Sequence, residues 1–165
     1  MRPASGCAVV LAFTIGDAHA IQPLPISAEL HPAKVVPRTT LALALVNAST
    51  RVQDYQVASF VYARPLGVAQ GHELPVYWSP LDLATGRSYQ ANAGPWLKLK
   101  PGEHLSVSFA LTDLQWALQG SSVWPSQDLA SLLSAGEYDV WYELDTMALS
   151  SDHRIASRSV RLTVP

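Results

Sequence analysis

Apolar and polar residues alternate with period two along most of this chain, and that alternation predicts β-strands. In the stretch from His104 to Leu111, Leu105, Val107, Phe109 and Leu111 share one face, and His104, Ser106, Ser108 and Ala110 share the other. From Glu137 to Asp145, Tyr138, Val140, Tyr142 and Leu144 alternate with Glu137, Asp139, Trp141, Glu143 and Asp145. The last strand sets Val160, Leu162 and Val164 against Ser159, Arg161 and Thr163. Between Thr39 and Val46 both faces are apolar, Leu41, Leu43 and Leu45 on one and Ala42, Ala44 and Val46 on the other, which predicts a central strand covered on its second side. Val52 to Arg64 is β-rich and aromatic, and Leu74, Val76 and Trp78 predict a further short strand.

Turn chemistry separates these runs at Asn47-Ala48-Ser49-Thr50, Pro65-Leu66-Gly67, Ser79-Pro80, Asn92-Ala93-Gly94-Pro95 and Lys100-Pro101-Gly102-Glu103. Strands at such spacing point to an all-β, antiparallel sandwich of about seven strands rather than to βαβ units. One stretch breaks the rhythm. Thr112-Asp113 predicts a helical turn through Leu114, Trp116, Ala117 and Leu118, and Gln127 to Leu133 predicts a second short helix before Gly136, together a short helical insertion between the fifth and sixth strands.

The first twenty residues follow a different pattern. Arg2 supplies a positive start, Cys7 to Ile15 is an uncharged and mostly apolar run, and Ala18-His19-Ala20 places small residues at the positions a signal peptidase requires. The expectation is a signal peptide at residues 1–20, a single β-sandwich domain at residues 21–165, and a periplasmic or secreted location. The chain's only cysteine, Cys7, falls inside that leader. A mature chain without it has no disulfide, no thiolate metal ligand and no cysteine nucleophile.

Composition narrows the chemistry. Of 165 residues 48% are apolar and 15% charged, which excludes a disordered tail. A net charge of −2 offers no footprint for nucleic acid or an anionic membrane. No apolar stretch in residues 21–165 is long enough to cross a bilayer as a helix. His31, His72, His104 and His153 are too far apart in sequence to form a local metal pair. Cleavage after Ala18 instead of Ala20 would expose His19, whose amine and imidazole together chelate copper, so an N-terminal-histidine copper protein stands as a third function class. No Gly-x-Ser-x-Gly elbow or glycine-rich phosphate loop occurs. Glu137, Asp139, Glu143 and Asp145 read as a solvated acidic strand face rather than as catalytic carboxylates or a calcium site.

Leu133 to Val140 has the form Leu-x-x-Gly-x-Tyr-x-Val. Tyr138 in it resembles the corner tyrosine of immunoglobulin-like sandwiches, which bonds back to the preceding backbone, with Val140 where a half-cystine often stands. The Tyr77-Trp78-Ser79 strand, the Leu99-Lys100-Pro101-Gly102-Glu103 turn and the Gly-x-Tyr-x-Val strand are together similar to the intracellular proteinase inhibitor family and to the N-terminal domains of deuterolysin-type metallopeptidases. That resemblance covers under half the chain and implies an immunoglobulin-like fold. It also implies a proteinase inhibitor acting through sandwich loops as one alternative. His-Glu-x-x-His is missing, so the deuterolysin catalytic domain is not implied.

Five tryptophans remain. Trp78, Trp96 and Trp116 sit among apolar neighbours and read as core. Trp141 is out of phase with Tyr138, Val140 and Tyr142 and points away from the core, either to a partner or into a second cluster under the helical insertion. Trp124 lies in the loop Gly120 to Pro125, either exposed or folded back as a lid. An exposed tryptophan buries much area at small entropic cost on association. The expectation is an exported, non-catalytic domain that binds another protein through Trp124 and Trp141, with no catalytic residue, cofactor or metal assigned.

Overall fold

The computed structural model describes residues 26–67, 73–89, 94–146 and 154–165. The expected signal peptide, with both expected cleavage points and His19, lies outside the described residues, as do His72 and His153.

Among the described residues twelve strands are present: β1 (Ile26–His31), β2 (Lys34–Val35), β3 (Thr40–Asn47), β4 (Gln53–Pro65), β5 (Tyr77–Pro80), β6 (Trp96–Leu99), β7 (His104–Ala110), β8 (Gln115–Leu118), β9 (Gln127–Asp128), β10 (Gly136–Thr146), β11 (Arg154–Ala156) and β12 (Val160–Val164). A single helical turn, α1 (Leu129–Leu132), and a 3-10 turn at Leu111–Asp113 complete the described elements. Three strands form a small sheet in the order β1-β3-β7. The large sheet runs β2-β12-β10-β4-β5-β8-β9, with β11 added to β10 and β6 to β4. The two are the layers of an immunoglobulin-like antiparallel sandwich, with β2 and β12 as a short parallel pair.

Alternation in the sequence becomes layering in space. Leu41, Leu43 and Leu45 of β3 and Val107 and Phe109 of β7 face Val57, Val61 and Ala63 of β4 and Tyr138, Val140, Tyr142 and Leu144 of β10 across one continuous core. Each such side chain contributes about 1.5–3 kcal/mol by leaving water. As expected, β3 is central in its sheet, and Ala42, Ala44 and Val46 on its second face are half-buried. β1 ends before Pro32, which has no N–H to extend the ladder. The chain then crosses to the other sheet, where the Ala33 carbonyl accepts a bond from the Arg161 N–H at 2.8 Å and β2 pairs with β12.

Two turns are tied together by one buried amide. The Asn47 side chain is fully buried; its Nδ2 donates to the carbonyls of Arg51 (2.8 Å) and Leu99 (3.0 Å), and its Oδ1 accepts from the N–H (3.0 Å) and hydroxyl (2.7 Å) of Ser49. It thereby fastens the β3–β4 turn to the β6–β7 turn. On the opposite edge, the turn after β5 sends Leu81 and Leu83 into the core and lays Gly86 on β7. Gly86 has φ +67, and a Cβ there would collide with the Ser108 carbonyl oxygen, so only glycine fits.

The Tyr138 hydroxyl donates to the Ser134 carbonyl at 2.9 Å, closing the corner before β10 as the Gly-x-Tyr spacing indicates. The helical insertion is present between β7 and β10, but shorter than its pattern predicts. Leu114 to Leu118 contains strand β8, not a helical turn, because its backbone finds partners in Tyr77 and Trp78 of β5. Leu114 and Trp116 then point inward two residues apart, and the Trp116 indole N–H donates to the Leu111 carbonyl at 2.9 Å. Of Gln127 to Leu133, only Leu129–Leu132 is helical, since Gln127 and Asp128 bridge to β8.

Candidate binding face

The phase of β4 builds the site. Its odd positions Val57, Ser59, Val61 and Ala63 are fully buried, so the even positions Gln56, Ala58, Phe60, Tyr62 and Arg64 face outward. Cross-strand register places Trp141 of β10 opposite Tyr62, and Tyr62 opposite Trp78 of β5. Three aromatic side chains therefore form one row across three adjacent strands. Adjacent strands lie about 4.8 Å apart, so such a row brings rings into contact. Tyr62 and Trp141 stack with centroids 5.3 Å apart and planes 14° from parallel. Phe60 meets Trp78 edge-on at 5.4 Å and Tyr62 at 6.2 Å.

Loop residues extend the row into a band. Trp124 folds back against the large sheet, its ring perpendicular to Trp78 at 5.3 Å and tilted against Tyr89 at 6.3 Å. It nonetheless keeps 40% of its surface exposed. Trp141 is half-buried; its indole N–H donates to Glu143 Oε1 at 2.8 Å, and the Arg64 guanidinium carbon lies 5.8 Å from its ring centroid. Trp124 and Trp141 thus occupy opposite ends of one aromatic band, joined through Trp78, Phe60 and Tyr62. Beside Trp124 is an apolar hollow of about 160 Å³, rimmed by the exposed side chains of Leu118 and Val123.

Sequence reading missed most of this band. Trp78 and Trp96 are not core residues. Trp78 sits on the outward face of β5, because the strand begins at Tyr77 and the expected phase does not hold. Trp96 is 65% exposed, opposite Gln56 on the outward face of β6, with Leu97 and Leu99 turned inward instead. Only Trp116 of the three is buried. The signal that places Phe60 and Tyr62 outward is the run of small or β-branched residues at odd positions of β4, a phase the sequence reading did not assign. Tyr89 carries no periodic signal.

Charges around the band are mostly compensated within the face. Arg161 reaches Glu137 (3.3 Å) and Asp139 (3.8 Å), Arg154 reaches Glu143 (3.5 Å), and Lys98 reaches Asp54 (3.0 Å). The Trp96 indole N–H and Lys98 hold the Asp54 carboxyl below its ordinary range. Desolvation, with Glu143 nearby, pushes the Tyr62 hydroxyl up. Glu137, Asp139 and Glu143 of β10 are thus ion-pair partners on an outer face. His31 and His104 are exposed, and among the described residues no three His, Cys, Asp or Glu side chains are placed to hold a metal ion. No described helix is long and apolar enough to cross a membrane.

No protein-family model matches this chain, and no curated protein matches it. Among solved structures, the sporulation control protein Spo0M from Bacillus subtilis is similar at 14% identity and a TM-score of 0.36, with 84% of this chain and 48% of that chain covered. The chain therefore spans about half the length of Spo0M. The ASH/PapD-like domain 7 of human CEP192 is similar at 11% identity and a TM-score of 0.31, with 98% of this chain and 96% of that domain covered.

Proposed function

We propose that this chain is an exported, non-catalytic domain that binds another protein through the outward aromatic face of its large sheet. The observation that carries this reading is the contiguous band from Trp124 through Trp78, Phe60 and Tyr62 to Trp141, flanked by Arg64. Tryptophan, tyrosine and arginine dominate interface hot spots because they bury large rigid surfaces at low entropic cost. The band lies open on a sheet face with shallow hollows beside it, which suits a macromolecular surface better than an enclosed small molecule.

The test begins with cross-linking of the native protein in its own envelope or culture medium. Each partner so found is purified and its affinity measured by calorimetry. Trp124→Ala and Trp141→Ala should each weaken binding by about tenfold or more, as truncated hot-spot residues do, whereas Val36→Ala, exposed and remote from the band, should not. Unchanged affinity of every identified partner for both tryptophan variants refutes the site. N-terminal sequencing of the same preparation reads the leader: Ile21 as first residue supports export with cleavage after Ala20, and Met1 refutes it.

A further inference from the structure

Next to Trp141, the large sheet carries a hollow of about 210 Å³ lined by Arg64, Asp139, Trp141, Ser157 and Ser159. It adjoins a second hollow of about 550 Å³ over β2, β10 and β12, and the two share Asp139 and Ser159. Three cations, Lys34, Arg64 and Arg161, and two carboxylates, Glu137 and Asp139, line the pair. Arg161 serves both carboxylates. Asp139, which stands opposite Arg64 in the strand register, is therefore already engaged from the other side. The nearest further carboxylate on β10, Glu143, is held by the Trp141 indole and by Arg154. Among the described residues Arg64 makes no ion pair, although it is exposed and its guanidinium lies over an indole ring. The chain as a whole is acidic, at −2, so this is a local excess of positive charge against the net sign.

We propose that Arg64 is the anchor for an acidic side chain of the protein partner, received in the hollow between Trp141 and Ser159. The inference rests on the protein-binding reading above and gives that partner its chemistry. A guanidinium presents a planar fork that matches a carboxylate bidentately, and stacking on an aromatic ring pre-orients that fork. Trp141 therefore has two roles: its flank is contact surface, and its face positions Arg64. The Ser159 hydroxyl lines the same hollow and adds a neutral donor. Charge complementarity of this kind acts chiefly on specificity and association rate.

The test needs no identified partner, so it fails or succeeds separately from the tryptophan experiment. A fluorescein-labelled decapeptide alternating glycine and glutamate is titrated with the purified full chain and followed by polarisation. A glycine–glutamine decapeptide serves as the neutral comparison. Saturable binding of the glutamate peptide alone is expected, weakening about tenfold between low salt and ~0.5 M salt. Arg64→Gln should weaken it about tenfold, and Arg64→Lys should fall between, because the charge stays and the fork is lost. Circular dichroism confirms that these exposed-site variants remain folded. Arg38→Gln removes the same charge from an exposed site that lines neither hollow and should leave binding unchanged. Equal loss in Arg38→Gln and Arg64→Gln would mean diffuse attraction and overturns the proposal. So does equal binding of the two peptides, or no binding at all. Free glutarate displacing the peptide at equal concentration also overturns it, because the hollow would then be a small-carboxylate site.

Discussion

Replacing Asn47 by alanine removes a four-bond junction while leaving the sheets' apolar faces intact. The Nδ2 bond to the Leu99 carbonyl (3.0 Å) is buried, and the N–H of Ser49 loses its acceptor. The single proton of the Ser49 hydroxyl, released from Asn47 Oδ1, turns to the Arg51 carbonyl 2.9 Å away, so the loss there is partial. A buried group left without its partner costs about 1–3 kcal/mol and an ordinary bond about 1 kcal/mol, giving roughly 3 kcal/mol for Asn47→Ala. For a domain of this size each kcal/mol moves the melting temperature by about 2–4 °C, so a drop of roughly 10 °C is expected. Asn47→Asp is the sharper variant, since it presents a carboxylate oxygen to two carbonyl oxygens in a buried site. At neutral pH it should be less stable than Asn47→Ala. Burial raises the folded-state pKa of the new carboxyl, the folded state then binds more protons than the unfolded one, and stability recovers as pH falls. Urea unfolding followed by tryptophan fluorescence at neutral and mildly acidic pH measures both effects. A loss below about 0.5 kcal/mol in Asn47→Ala, or Asn47→Asp as stable as wild type at neutral pH, refutes the junction.

Two further predictions concern stability. Trp116→Ala should cost about 3–5 kcal/mol, because the side chain is fully buried and its indole N–H is bonded, whereas Trp96→Ala should stay within about 0.5 kcal/mol; chemical denaturation compares them, and similar losses would contradict their placement. Burial raises the Tyr142 hydroxyl above its ordinary value of 10.0, against a lowering bond from Ser59, so the unfolded chain deprotonates first and wild-type stability should fall as pH rises past 10. Tyr142→Phe should make that fall shallower, though not flat, because burial also raises Tyr55, Tyr62, Tyr77 and Tyr89; an unchanged alkaline slope in urea-melt stability would refute it.

Legibility of the binding face followed the strength of local pattern. Trp141 announced its outward position because its neighbours in β10 alternate without interruption over the whole strand. Trp78 and Trp96 lie in four-residue strands, too short for a phase to be read from sequence. Apolar neighbours argued for core in both cases, and the register of β4 against β5 and β6 placed them outside. Trp124 was recognisable as a loop residue, exposed or folded back as a lid. That it closes onto Trp78 and Tyr89 depends on where β5 and the β8–β9 loop come to lie relative to one another.

The sequence by itself determined the sandwich class, the strands β3, β7, β10 and β12 with their buried faces, the β character of β4 without its face, and the tyrosine corner at Tyr138. Period-two burial and turn chemistry are local, and each is written within some ten consecutive residues. Only the tertiary structure decided that Leu114 to Leu118 contains a strand, that the side chain of Asn47 joins two turns 52 residues apart, and that aromatic residues from β4, β5, β10 and two loops form one band. Those outcomes come from pairing between distant segments. A backbone without a neighbouring strand has no ladder to satisfy, and a side chain's company on a sheet face is set by a register that no single segment contains.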